Sequence, residues 1–449
     1  ENYETETRGQ SGGNCRFVIK QMNLTRNQII IIISVISIIV FFVVAFVFFG
    51  RGGKGGLGGD SGEKQIELSF WGVEDESAIR KLTELYSGAN PGVRIAYQQF
   101  DENNYEKSLL NALASNKGPD IFMLHNSWLP KHQNKITPAV EAQLPFVYFR
   151  DSFPKVVSQD FSQDNKIYAL PLYIDTLAFI YNKDYFDAKA VALPPKTWES
   201  FQNSIPRLKE TDFSGRISKA GAAIGGSEKS VDNAVDLLSL IMLQYKASMT
   251  NEYGQADFAR TGGLNAFDFY LRFSNPTSQY YTWNDNLRPS LDNFSNGTVA
   301  AIFNYSSAIP KIKAKNPFIN ISVAPMLQFS GADQPLNYAD YWGLTVSSQS
   351  KNSAWAWHFI QSATTQEQFN EEYLKVSGRP PALRSLINKY LNDSDIGVFA
   401  TQALTAESWK QPDNNEIKKI FSSAIESVLS GKLSPQNALQ EAENKINNL

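Results

Sequence analysis

Cysteine is almost absent. Cys15 is the only one in the 449 residues, so neither an intrachain disulfide nor a thiolate metal site can form. Histidine is nearly as scarce: His125, His132 and His358 are the full set, none of them in an HExxH pair, and no metal or other cofactor is expected. Neither sign of charge dominates, the net value being −3. That leaves no basic footprint for nucleic acid and no polyanionic tail. The chain also lacks a GxSxG nucleophile elbow, a GxxxxGK[ST] phosphate loop and any fixed-period repeat. Folding could still bring two carboxylates together, as in a glycosidase, but nothing in the sequence calls for it. Small molecules and proteins remain as partners.

What is present falls into three unlike parts. Residues 29–49, IIIIISVISIIVFFVVAFVFF, are apolar except for Ser34 and Ser37. At 1.5 Å per residue such a run crosses about 30 Å of hydrocarbon, and a single-pass transmembrane helix is expected. A cleaved signal peptide has a shorter apolar region and an A-x-A-like site, which FVFFGRGG does not supply. A lipid anchor needs a cysteine just after the run, and Cys15 precedes it. Arg16, Lys20 and Arg26 before the run, against Arg51 and Lys54 after it, favour a tail (1–28) inside and a body on the extracytoplasmic side of the cell membrane. A glycine-rich linker (50–64) follows. Its GRGGKG stretch satisfies GxGxxG but has no strand before it and no helix after it to cradle a pyrophosphate. It reads as a flexible coil of about 20 Å end to end.

From Gln65 onward, β-rich runs alternate with helical periodicity, the pattern of an α/β fold large enough for two domains. QIELSFWG, VRIAYQQF and DIFMLH are expected strands. Between them, Asp75 or Ser77 caps a helix carrying Ile79, Leu82, Leu85 and Tyr86, and Tyr105, Leu109 and Leu113 mark a second. LAFIYNK, AAIGG and TVAAIFNYS read as strands of a second sheet, with DNAVDLLSLIMLQY a helix between them. INISVAPM and YWGLTVSS return to strand patterns before a mostly helical end, where one helix stops at Gly431 and another starts at Ser434-Pro435.

In open α/β sheets ligands sit beyond the carboxyl ends of strands, which draws Trp71 and the HNSW stretch with Trp128 to one rim. Aromatic residues make up 12% of the chain, and several cluster outside core periodicity: YYTW with Tyr281 and Trp283, FNYS with Tyr305, and NYADYWG with Asp340, Tyr341 and Trp342. A ring beside an amide or carboxylate suits a sugar, whose C–H faces stack while its hydroxyls hydrogen-bond. Buried packing is the other reading of each ring, and it is the one adopted for Trp198, Trp355 and Phe359. Asp175 interrupts the apolar run IYALPLYIDTLAFIYNK, where an unpaired carboxylate is costly. It either caps a turn or faces a ligand. Glu228 and Asp340 fall in expected loops, where a carboxylate can simply be solvated.

Seven stretches in a shared order, GPDIFMLHNSW, IYALPLYIDTLAFIYNKDYF, LPPKTWESF, FSNGTVAAIFNYS, YWGLTVSSQSKNSAWAWHFIQ, SGRPPALRS and GKLSPQNALQEAENKIN, resemble the extracellular solute-binding proteins of ABC importers, in the branch that includes the maltose-binding protein. The resemblance implies a two-lobed periplasmic-binding-protein fold of type II with a hinge. It implies crossings near Ile174, near 323–325 and near 378–380, hence one lobe from 65–174 with 324–379 and another from 175–323 with 380–449. It also implies ligand contacts at Trp71, Glu74, Asn126, Trp128, Asp175, Glu228, Tyr305 and the Asp340–Tyr341–Trp342 segment. Trp409 lies where the family often places another cleft aromatic. Tyr281 and Trp283 are added from their own aromatic cluster. Most members are released or lipid-anchored, whereas this chain is expected to keep a transmembrane helix.

The expected function is therefore a membrane-anchored receptor, monomeric and not an enzyme. It captures a carbohydrate, an oligosaccharide in the leading reading, by lobe closure and hands it to ABC permease subunits. A sensory receptor for a membrane signalling partner and an anchored glycan hydrolase are the alternatives.

Overall fold

The computed structural model describes residues 65–449. The expected tail, transmembrane helix and linker (1–64) lie outside the described residues, and among those described no helix is long and apolar enough to cross a membrane.

The first strands follow from alternation. In β1 (Ile66–Gly72) Leu68 and Phe70 point inward and are fully buried. The Asp75 carboxylate accepts from Ser77 N at 2.8 Å and so starts α1 (Glu76–Ala89), which buries Ile79, Leu82 and Tyr86. Next come β2 (Val93–Gln99), α2 (Glu102–Ala114) and β3 (Ile121–His125). β1 pairs in parallel with both β2 and β3, as βαβ crossovers require. Further along lie β4 (Leu170–Pro171), β5 (Asp175–Thr176), β6 (Ala178–Asn182), α3 (Ala234–Gln244), β7 (Ala301–Asn304), α4 (Ala308–Lys315), β8 (Ile321–Ala324), β9 (Asn337–Asp340), β10 (Trp342–Val346), β11 (Ala406–Glu407) and α5 (Asn414–Leu429). β10 joins the first sheet antiparallel, giving the order β2-β1-β3-β10-β4. Gly343 makes that possible: a Cβ there would meet the Phe161 ring at 2.6 Å. A second, three-stranded sheet has the order β7-β6-β8. AAIGG is not a strand. Gly221 and Ala222 give their N–H groups to Thr282 Oγ1, and Gly225 at φ +92° turns the chain out of extended geometry.

Two separate cores define two lobes. One gathers buried side chains from Leu68 to Ile174 and again from Ala339 to Ala406. The other runs from Leu177 to Tyr338 and again from Trp409 to Ile446. The cores exchange between Ile174 and Leu177, at 338–339 and between 406 and 409; the last two differ from the crossings at 323–325 and 378–380 that the resemblance implies. The reason is packing. Met326 and Leu327 are buried in the second lobe, where the Gln244 side chain also donates to the carbonyls of Leu327 and Leu336. Ala382, Leu386, Ile387 and Ala400 complete the first core.

The three crossings lie side by side. β5, β9 and β11 form one small sheet of order β11-β9-β5, with Asp340 opposite Asp175 and Asn337 opposite Ala406. Beside it, Asp175 accepts from Ser306 N at 2.9 Å, Ser306 Oγ at 2.6 Å and Ser307 N at 3.3 Å, at the start of α4. Arg379 lies 3.5 Å from Asp175 Oδ2 and 2.8 Å from Glu74 Oε1, with its guanidinium 4.6 Å from the Tyr173 ring centre. Tyr373 O–H donates to the other Glu74 oxygen at 2.8 Å. One cation is thus shared by two buried carboxylates, Glu74 of the first lobe and Asp175 at the first crossing.

Replacing Arg379 by Met leaves both carboxylates buried without a counter-charge. The expected loss is about 3 kcal/mol, at the lower end for a broken buried pair because the guanidinium keeps some solvent contact. Chemical denaturation measures it. Adding Glu74→Gln and Asp175→Asn to Arg379→Met should restore part of the loss; no restoration would mean that the arginine acts only by its bulk.

Candidate functional site

A cleft of about 290 Å³, open mouth included, lies between the two cores. The end of β3 and the loop after it supply His125, Asn126 and Ser127. The crossing strand β9 supplies Tyr338 and Asp340. From the second lobe come Asp236 on α3, Trp409 and Gln411 from the loop after β11, and Asn414 and Lys418 on α5.

Charge in the cleft is arranged in pairs. His125 Nε2 stands 2.6 Å from Asp340 Oδ1, and its Nδ1 stands 2.8 Å from Ser127 Oγ. Burial alone would raise Asp340, but the charge and hydrogen bond of His125, with Lys418 and Arg379 behind it, hold the carboxyl below its ordinary range. Lys418 Nζ stands 3.9 Å from Asp236 Oδ2, which also accepts from Tyr305 O–H at 3.0 Å. Asp236 keeps the ammonium protonated against burial, while burial pushes Asp236 itself up.

Two polar atoms stand apart from this pairing. Asn126 Nδ2 donates to Asp160 Oδ2 at 3.1 Å, and because a carboxylate only accepts, the amide must turn its Oδ1 the other way. Trp409 packs edge-on to Phe258. Among the described residues neither Asn126 Oδ1 nor Trp409 Nε1 has a hydrogen-bond partner. Both side chains are only 6% exposed, and both line the cleft. An orphaned buried acceptor and donor are expensive unless something meets them. A ligand hydroxyl can satisfy either, since it both donates and accepts.

The residues expected at the site divide into three groups. Asn126, Asp340 and Trp409 line the cleft itself. Tyr305 reaches it through Asp236. Trp128 and Trp342, 5.0 Å apart and both packed on Tyr105, lie against the cleft residue His125 without lining the cleft themselves. Trp71 joins that cluster through Phe100 and Tyr105, with centroids at 4.7 and 5.8 Å. A second group supports from behind. Tyr341 is fully buried with its O–H on Asp160 at 2.7 Å. Glu228 accepts from Val235 N at 2.9 Å, in the first turn of α3, and burial pushes it up to about 7. Glu74 and Asp175 are spent on Arg379 and α4, so Asp175 takes the turn-capping alternative. The last group is elsewhere. Trp283 is fully buried in the second core with its N–H on Ser230 at 2.9 Å. Tyr281 packs with Lys209 and Asn284. The aromatic cluster had pointed to both, but its rings fill the lobe instead.

Sequence reasoning drew the HNSW stretch to the rim without singling out His125, and it missed Asp236, Lys418 and Asn414 in the cleft and Asp160 behind Asn126. Asp236 carried the same signal as Asp175, a carboxylate inside an apolar run. Asp160 could not be found: its neighbours Asn126, Tyr341 and Ser408 come from three distant segments.

Asp160 is largely buried, and desolvation pushes it up to about 6 even though those three donors pull it down. In the unfolded chain it titrates near 3.8. The folded state therefore holds the proton over a window in which the unfolded state has lost it, and stability falls as pH rises from 4 to 6. The amount is on the order of 3 kcal/mol. Glu228 adds a fall of the same sign up to about 7. Melting temperatures of wild type and Asp160→Asn across pH 4–7 test this: the variant should show the shallower decline, and parallel curves would contradict the assignment.

Comparison with known proteins agrees with this geometry. The family profile described as bacterial extracellular solute-binding protein matches residues 81–396, well over half of the chain. A binding protein of Brucella abortus is 21% identical over 396 residues, covering 86% of this chain and 92% of its own. The maltotriose-binding protein of Pyrococcus abyssi is 21% identical over 364 residues, covering 78% and 74%. Among solved structures, the sugar-binding protein MalE from Xanthomonas citri superposes with a TM-score of 0.72 at 20% identity, over 85% of this chain and 97% of that one. Fold, cleft and profile together place this chain in the bacterial extracellular solute-binding protein family.

Proposed function

We propose that the protein is a membrane-anchored extracytoplasmic receptor that captures a carbohydrate between its lobes and delivers it, chemically intact, to the permease of an ABC importer. The observation that carries the reading is the pair of orphaned atoms, Asn126 Oδ1 and Trp409 Nε1, on two side chains that line one cleft. Hydroxyls satisfy such atoms without bringing charge, while the faces of a sugar ring suit tryptophan. His125 and Lys418 are each paired with a carboxylate, so neither calls for an anionic ligand. The crossing sheet β5, β9 and β11 supports lobe closure: its strands tie the lobes at one edge and leave the opposite faces to approach. The apolar run at 29–49 supports the anchor, which holds receptor and permease at high local concentration. The names of relatives that bind maltotriose and other sugars point to the same ligand class.

Calorimetric titration of the full-length protein with sugars and polyols tests the proposal. One compound should bind saturably and be recovered unchanged; release of reducing ends would indicate a hydrolase instead. With that compound, Trp409→Phe removes the indole N–H and should weaken binding about tenfold or more. Trp283→Phe, in the second core, should lower the melting temperature and leave affinity within about twofold. If Trp409→Phe binds as wild type does, the cleft assignment is lost.

A further inference from the structure

On one side of the cleft the lobes touch each other directly. Lys131, in the short helix Leu129–His132 of the first lobe, places Nζ 2.6 Å from Asp413 Oδ2 of the second lobe and 2.8 Å from Glu106 Oε1 of its own. Beside it Trp128 Nε1 donates to Asn414 Oδ1 at 2.9 Å. Asn414 is also a wall of the cleft, so this contact borders the space a ligand would occupy.

Each partner is fixed beforehand. Asp413 caps α5, its Oδ1 accepting from Asn415 N and Glu416 N at 3.1 and 3.2 Å, which leaves Oδ2 toward Lys131. The Trp128 ring is stacked on Tyr105 and meets His132 and Trp342 edge-on. The hydrogen bond from His132, with Lys131 beside it, holds Glu106 well below the usual carboxylate range, so it stays ionised. The side chains of this contact therefore need little ordering to meet.

We infer that Lys131–Asp413 and Trp128–Asn414 form a fence that shuts one side of the closed cleft and so selects short saccharides, or a polyol, over longer glycan chains. The indole N–H of Trp128 is already spent on the other lobe, and a glycan chain leaving the cleft on this side would have to break both contacts. The inference narrows the carbohydrate reading to short ligands and takes its probes from it, but the fence itself does not depend on that reading.

The test compares wild type with Asp413→Asn/Trp128→Phe, in which the cap acceptor and a ring are kept while the charge and the N–H are removed. Lys131→Met examines the same ion pair without touching either tryptophan or cap. Full-length proteins are titrated with glucose, maltose, maltotriose and maltotetraose, with mannose, mannobiose and mannotriose, and with mannitol. For whichever series binds, wild type should gain nothing from a third ring, while the double variant should shift the ratio of trimer to dimer affinity at least tenfold toward the trimer. Tenfold tighter binding of a trimer by wild type, or an unchanged ratio in the double variant, overturns the fence. Binding of mannitol alone, with every saccharide rejected by wild type and a dimer admitted by the double variant, supports it; rejection by both overturns it. If nothing binds either protein, the carbohydrate reading fails, and small-angle scattering decides the fence: both variants should show a larger radius of gyration than wild type, and superimposable curves refute it.

Discussion

Three backbone segments that cross between two cores pair with one another as a single small sheet, and the rest of the molecule depends on that constraint. Backbone groups passing between hydrophobic bodies must be satisfied, and β5, β9 and β11 satisfy one another. The arrangement fixes one edge where the lobes are joined. Arg379 reinforces the same edge by pairing with both Glu74 and Asp175, which explains why two carboxylates can sit among buried tyrosines so close to the crossings.

The cleft inherits its chemistry from this geometry. Because Asp340 ends the central crossing strand, it reaches His125 at the end of β3. Asp236 and Lys418 pair on the opposite wall. Charges disposed in pairs leave a polar but locally balanced surface, on which unmatched hydrogen-bonding capacity is concentrated in Asn126 and Trp409. Asp160 links that capacity to the crossings: it orients the Asn126 amide while binding Tyr341, which directly follows β9, and Ser408, which directly follows β11. From Asn126, two hydrogen bonds through Asp160 therefore lead to residues flanking two of the three segments about which the lobes are proposed to move. The contact of Lys131 and Trp128 with α5 lies across the same cleft, so the lobes meet through protein as well as through whatever they hold.

Much of this was legible in the order of residues. Alternation in IELSFWG and VRIAYQQ, the Asp75 cap, and the Ser434-Pro435 helix start are local signals, set within a few residues by backbone geometry and side-chain reach. The stretches that resemble solute-binding proteins pointed to two lobes and to Asn126, Asp340 and Trp409. Burial was not legible in the same way. Trp283 and Trp409 look alike in sequence and both pack in the second core, yet only Trp409 also lines the cleft, with its N–H unpartnered among the described residues. What surrounds a tryptophan is decided by distant segments, here Ser230 for Trp283 and Phe258 for Trp409.

The sequence by itself determined the apolar run and the glycine-rich stretch ahead of an α/β body, most strands and helices of that body, and the exclusion of disulfide and thiolate-metal chemistry. Each of these rests on composition or on periodicities of two and 3.6 residues, which need no partner to be read. Only the tertiary structure decided where the lobes exchange chain, which carboxylates are spent inside and which face the cleft, and that Lys131 meets Asp413. Those outcomes depend on distances between residues up to about three hundred positions apart, and such distances exist only once both cores have formed.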